Sequence, residues 1–207
     1  MGRYVGPKCK VCRREGVKLF LRGDRCYTGK CPIGRRPQAP GQHGRFRRRA
    51  TPYALRIREK QKLKRIYGVR EAQFRRYVEA AKKWKGVTGE ALLKFLERRL
   101  DNVVYRTGFA PSRDQARQLV SHGHFAVNGR PTNIPSYLVR EGDIVEVKAE
   151  SRDKLRELVK AAAERRPVPS WLTRDLEGLR IQVAAEPNLE ELDQSIDTSL
   201  IVEFYSR

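Results

Sequence analysis

Up to Gly123, four stretches of the chain carry a helical pattern. Thr51-Pro52 offers an N-cap followed by proline at the first helical position, and YALRIREKQKLKRIYG runs from it to a stop at Gly68. A second helix, REAQFRRYVEAAKKWKG, places Ala72, Phe74, Val78 and Ala81 on one stripe, with Trp84 as a further candidate, and ends at Gly86. A third starts near Thr88 and covers Glu90 to Arg106, with Leu92, Leu96, Leu100 and Val104 at i+4 beside Leu93 and Val103, closing at Gly108. Ser112 opens a fourth, SRDQARQLVSHG, with Gln115 in the capping-box position and Gly123 as the stop.

Beyond Gly123 the period becomes alternating. His124-Phe125-Ala126-Val127 runs into Asn128-Gly129, a strong hairpin signal, and a return strand through Thr132 and Ile134 follows. Tyr137 to Val139 and Ile144 to Val147 add strands, SRDKLRELVKAAAERR reads as a helix, and Arg180 to Ala184 and Ser199 to Tyr205 read as closing strands. The first 50 residues are rich in glycine and proline and show no sustained helical period. The expected fold class is therefore α+β. It comprises a basic arm over 1–50, a helical domain over 51–97 joined by the C-terminal segment 161–207, and a helix-helix-hairpin domain with a small antiparallel sheet over 98–160.

Charge turns this fold toward a polyanion. The chain has 207 residues and 45 Lys and Arg against 24 Asp and Glu, a net charge of +21, which repels itself unless an anionic partner neutralises it. Residues 1–50 hold 15 basic and 2 acidic residues, a net +13, whereas 175–207 hold 2 basic and 8 acidic, a net −6. The two ends thus face different neighbours. Glu190, Glu191, Asp193 and Asp197 suit a basic protein or solvent better than RNA. No apolar run approaches the roughly 18 residues of a membrane span, and MGRYVGPK lacks the apolar centre of a secretion signal. A cytoplasmic protein without membrane partners is expected.

In a reducing compartment four cysteines need a reason other than disulfides. Cys9 and Cys12 form one C-x2-C pair, and Cys26 and Cys31 a second pair with four residues between them. Two such knuckles can surround one ion, with zinc the first choice and a 4Fe-4S cluster the alternative that spacing does not separate. Lys8, Lys10, Arg13, Arg14 and Arg25 are expected to lower the thiol pKa values. With four protein ligands there is no open position for a substrate, so the role is a structural staple of the arm.

On the fourth helix Ala116, Leu119 and Val120 can face the third, leaving Arg113, Arg117, Gln118 and Ser121 on an outer surface, with His122 and His124 about the glycine stop and Asn128-Gly129-Arg130 projecting from the same end. Arg56, Arg58, Lys60, Lys62, Lys64 and Arg65 cover most of the first helix, as if RNA bordered it on several sides. A helix-turn-helix reading duplex DNA has a similar outline, but the hairpin argues against it.

The stretch RLDNVVYRTGFAPSRDQARQLVSHGHFAVNGRPTNIPSYLVREGDIV resembles the RNA-binding domain shared by the fourth protein of the small ribosomal subunit, some pseudouridine synthases and bacterial tyrosyl-tRNA synthetases. MGRYVGPKCKVCRREG, PGQHGRFRRR, FRRYVEAAKKWKGVTGEALL and LIVEFYSR narrow the resemblance to the ribosomal family, in its cysteine-bearing bacterial branch. That resemblance implies direct binding to small-subunit ribosomal RNA at a helical junction of the 5′ domain, nucleation of subunit assembly and an influence on decoding accuracy. By position it implies an RNA face of Arg98, Arg99, Arg106, Ser112, Arg113, Gln115, Arg117, Gln118, His122, His124, Asn128, Arg130, Ser136, Tyr137 and Arg140. Arg45, Arg47, Arg48 and Arg49 match the stretch that meets incoming messenger RNA. The same resemblance implies a contact with the fifth small-subunit protein and, in some members, repression of the protein's own message.

Catalysis is not expected. About 60 residues follow Val147, less than a usual catalytic domain, and no paired carboxylates or nucleophile with a base stand out. The alternatives kept open are the accessory RNA-binding part of an RNA-modifying enzyme and a zinc-bearing DNA-binding regulator.

Overall fold

A computed structural model describes residues 4–45, 51–164, 166–191 and 196–206, without the side chains of His43, Arg45 and Leu189. The chain forms two compact units, one of residues 1–92 with 193–207 and one of residues 93–192.

The first unit is helical. Its arm, expected to be irregular, contains α1 (Lys8–Glu15) and the short α2 (Pro32–Arg35). Gly16, at φ 76°, closes α1 with its N–H on the Cys12 carbonyl, a left-handed cap that glycine adopts without strain. The helix was hidden because its lysine, arginine and cysteine pattern has only Val11 and Cys12 on its buried side. Helix α3 (Pro52–Ile66) starts as expected: the Thr51 hydroxyl accepts the Ala54 N–H at 3.2 Å, and proline occupies the first turn. Helix α4 (Glu71–Lys82) buries Phe74, Tyr77, Val78 and Ala81. Ala72 and Trp84, assigned to that stripe, are exposed.

Helix α5 (Thr88–Glu97) carries the chain into the second unit. The long third helix is in fact two, because Arg98 and Arg99 leave the helical path before α6 (Leu100–Arg106). Arg99 is extended at φ −66°, ψ 135°, and bridges to Leu138, while the Val139 N–H donates to the Arg98 carbonyl and the Leu100 N–H to that of Tyr137. The segment 137–139, expected as a sheet strand, is therefore spent on this break. Periodicity could not show it, since Leu96, Leu100 and Val104 are all buried on either side.

Helix α7 (Arg113–Ser121) begins at the expected cap, the Ser112 hydroxyl accepting the Gln115 N–H at 3.3 Å. The hairpin of β1 (Phe125–Val127) and β2 (Arg130–Pro131) turns through Asn128 and Gly129 at φ 50° and 74°, the two positive values this turn requires. With β3 (Ile144–Val147), α8 (Ala149–Ala163), β4 (Leu172–Asp175) and β5 (Arg180–Val183), it completes a five-stranded antiparallel sheet in the order β2-β1-β3-β5-β4. The sheet, α6, α7 and α8 enclose one core that includes Leu100, Phe109, Phe125, Val145, Val159, Trp171 and Ile181.

The last expected strand, Ser199 to Tyr205, is helix α9 (Thr198–Tyr205) of the first unit. Its β-branched and aromatic residues favour strand, but the Asp197 carboxylate caps the Ser199 and Leu200 N–H groups, and Ile201 is buried. Tertiary packing overrides propensity here. Tyr205 lies against Phe74, and its hydroxyl donates to Glu71 at 2.6 Å.

Candidate nucleic-acid interface

The positive charge divides into cations that are consumed inside the fold and cations left at its surface. On α3 nearly all are consumed. Arg58 and Arg65 pair with Glu15, Lys60 and Lys64 with Glu71, Lys62 with Glu59, and Arg56 with Glu203. Lys60 also lies 4.2 Å from the Phe204 ring centre. The cations of α3, expected to face RNA on several sides, are thus already paired, with α1, α4 and α9 and, for Lys62, within α3 itself. Burial raises the Glu15 carboxyl pKa, against Arg65, Arg58 and Arg14. At Glu71 burial also pushes upward, but the bonds from Lys64, Tyr205 and Lys60 win and bring it down to about 2.

The second unit sorts its arginines in the same way. Arg99 is fully buried and forks onto Asp101 at 3.0 and 2.6 Å, and Arg117, also buried, reaches the same carboxylate at 3.3 Å. Arg106 forks onto buried Glu97, which also accepts from Asn102 at 2.9 Å. Arg113 donates to Asn102 at 2.8 Å and covers the Tyr105 ring at 4.3 Å. The outer-surface placement of Arg117 is therefore overturned, and Arg99 is likewise internal: each neutralises a carboxylate that the fold has already buried. Ser112 serves as the α7 cap. Both ends of the Asn128 amide hold the hairpin, donating to Asp143 and accepting from the Ile144 N–H, each at 2.8 Å.

What faces outward is a smaller set. Gln118, Ser121 and His122 are exposed at i, i+3 and i+4 along the end of α7, and Arg130 is exposed at the hairpin. His124, partly buried, meets Ser151 at 2.8 Å through Nδ1, with its ring 6.2 Å from that of His122. Burial, then His122, Lys154 and Lys148, hold its pKa below the usual histidine value. Lys148 and Lys154 were missed from sequence. Their signal was available in the topology, since the β3-to-α8 turn returns to the hairpin, where the Lys148 N–H donates to the His124 carbonyl at 3.0 Å. Tyr137 and Arg140 are exposed, and Gln115 and Ser136 half-exposed. Arg98 donates to the Val139 carbonyl at 2.8 Å and lines, with Arg140, a cleft of about 250 Å³. Arg47, Arg48, Arg49 and the side chain of Arg45 lie outside the described residues.

In the arm all four cysteines are free, Cys12 and Cys26 buried and Cys9 and Cys31 half-buried. Burial pushes the Cys12 and Cys26 thiols up, and the other cysteines push them further, against backbone donation from Leu19 and Arg22 respectively. The expected lowering by nearby cations is overturned for these two, because burial outweighs it. Among the described residues no group of three or more His, Cys, Asp or Glu is arranged to hold a metal ion.

Residues 3–97 match the family described as ribosomal protein S4/S9 N-terminal domain, and residues 98–145 match the S4 domain. Together with the helix pair and hairpin, these matches define an S4-domain protein of ribosomal type. Small ribosomal subunit protein uS4A of Symbiobacterium thermophilum is 60% identical over 207 residues, all of both chains. The uS4 proteins of Caldicellulosiruptor saccharolyticus and Dictyoglomus thermophilum are each 58% identical, again over the full length of both chains. The chain belongs to the uS4 family of small ribosomal subunit proteins.

Proposed function

We propose that the protein is a non-catalytic component of the small ribosomal subunit that binds ribosomal RNA directly, through the exposed polar and cationic surface at the end of α7 and the hairpin. The observation that carries this reading is the grouping of His122, His124, Lys148 and Lys154 beside Gln118, Ser121 and Arg130 on a rigid helix-and-hairpin frame. RNA junctions are held by phosphate and 2′-hydroxyl contacts from many such groups rather than by a few base readers. Arg98 and Arg140 extend the surface at their cleft. Arg106 and Arg113 contribute only what their partners Glu97 and Asn102 leave over.

On the family resemblance, the RNA element is a junction of the 5′ domain, binding is an early assembly step, and the neighbours include the fifth small-subunit protein, with an effect on decoding accuracy. Incoming messenger RNA at Arg45 to Arg49 and the protein's own message belong to the same proposal. The experiment is a salt-dependent titration of the 5′-domain transcript with the protein and its Arg130→Glu and Lys148→Glu variants. Each reversal should weaken binding and flatten the dependence on salt. Unchanged affinity in both variants would discard the surface.

The arm is proposed to hold a zinc ion on Cys9, Cys12, Cys26 and Cys31, with a 4Fe-4S cluster as the alternative. Four free thiols, with those of Cys12 and Cys26 pushed up by burial and then by the neighbouring cysteines, suit a cation, which would stabilise them as thiolates. Such an ion would supply only structure. Elemental analysis of the purified protein with its visible absorption spectrum decides the matter: one zinc without colour, or iron with a broad visible band, each identifies its group, and neither metal at stoichiometry refutes the proposal.

A further inference from the structure

Between α4 and α5 the chain makes a turn, Lys82-Lys83-Trp84-Lys85-Gly86-Val87, that the interface described above does not use. Its geometry is fixed. The Lys83 and Trp84 N–H groups donate to the Ala80 and Ala81 carbonyls at 3.1 Å each, and Gly86 sits at φ 118°, open only to glycine without strain. Trp84 is 46% exposed and Val87 62%. A single exposed apolar residue is ordinary, but this one stands in particular company.

From Ala80 to Gly89 there are three lysines and no carboxylate. Lys82 donates to the Tyr205 carbonyl at 2.8 Å, at the end of α9. Lys83 and Lys85 are exposed and have no ion-pair partner among the described residues. The preceding acid, Glu79, is itself paired with Arg75 one turn earlier at 3.2 Å. A fold that has tied up nearly every cation on α3 has left these two untouched beside an accessible indole.

We propose that this turn is a second RNA contact, in which Trp84 stacks on an unpaired base while Lys83 and Lys85 neutralise the phosphates on either side of it. Aromatic stacking is indifferent to which base is presented, and flanking ammonium groups track the backbone, so the pair fits single-stranded RNA at a loop or bulge. The proposal rests on the reading that the chain binds small-subunit ribosomal RNA.

The two tryptophans make a direct test possible. Trp171 is 2% exposed, so acrylamide quenching of the native protein reports mainly on Trp84. Binding of the 5′-domain transcript should protect that fluorescence. Trp84→Ala should weaken the complex by about 5- to 150-fold at fixed salt, Trp84→Phe should recover most of the loss, and Lys83→Gln or Lys85→Gln should each lower the salt slope by about 0.7. Unchanged thermal melts of the variants would separate lost contact from lost fold. Three results would overturn the proposal: full affinity in Trp84→Ala together with an indole still open to acrylamide in the parent complex, which spares the general reading; equal protection by poly-glutamate, which would assign the turn to an acidic protein; or no complex with the transcript at all, which removes both readings together.

Discussion

Replacing Asp101 by alanine is the sharpest test of how the positive charge is apportioned. Asp101 is 4% exposed and answers two buried guanidinium groups, taking two hydrogen bonds from Arg99 at 3.0 and 2.6 Å and one from Arg117 at 3.3 Å. Arg99 has no exposed surface, so its charge cannot turn to water when the carboxylate is removed. Breaking a buried pair by deleting one partner costs about 3–5 kcal/mol, most of it the stranded charge rather than the lost attraction. With a urea slope of about 2 kcal/mol/M, typical of a domain this size, the midpoint should fall by about 1.5–2.5 M. Trp171, buried in the same unit, reports the transition, and Trp84→Phe removes the competing signal.

A compensated variant separates packing from RNA recognition. Arg99→Met, Asp101→Leu and Arg117→Met together remove the charges grouped at Asp101 and should bring stability back to within about 1 kcal/mol of the parent. Because Arg99 and Arg117 are internal, that triple variant should bind the 5′-domain transcript as the parent does. A loss of less than 1 kcal/mol in Asp101→Ala would show that the guanidinium groups reach solvent after all. A stable triple variant with a tenfold weaker RNA complex would return both arginines to the interface.

Two further outcomes follow from the described contacts. Glu71, held down to about 2 although burial pushes it upward, contributes stability that is complete above its ordinary value of 4.5 and lost as pH falls from there toward 2. Because its side chain is 46% exposed, this is worth on the order of 1 kcal/mol after screening; Glu71→Gln should cost that much at pH 7 and flatten the acid limb of the unfolding curve, and an unchanged limb would refute it. Ser112→Ala removes the α7 cap and should cost about 1 kcal/mol in the same urea assay, with Ser112→Thr close to the parent.

Much of the fold was legible because its signals are local. Thr51 and Ser112 each cap a helix through a side-chain oxygen that accepts a backbone N–H three residues on, and Asn128-Gly129 turns through two positive φ values; each stands where the pattern put it. The misreadings came where a distant partner decided. The α5–α6 break depends on Leu138, and α9 forms although Ile201, Val202 and Phe204 favour strand, because Asp197 caps it and α3 and α4 receive it. Strand β4 is short and contains Arg174 and Asp175, and its pairing with β5 is what defines it.

The excess of cations was legible in the sequence, but which of them stay at the surface was not, for a physical reason. Sequence reveals how many cations a chain has, but not which carboxylates the fold will bury beside them. Here packing buries Glu15, Glu97 and Asp101, and each is paired with the arginines it needs to be tolerable at low dielectric. Those cations then lock the elements that present the remainder: Arg99 and Arg117 bind the α5–α6 break to α7, and α7 in turn carries Gln118, Ser121 and His122. The internal arginines therefore support the proposed RNA surface from within the fold. A charge count alone assigns them to RNA, whereas burial assigns them to the frame, and the proposed contact falls to Arg130, Lys148, Lys154 and their neighbours.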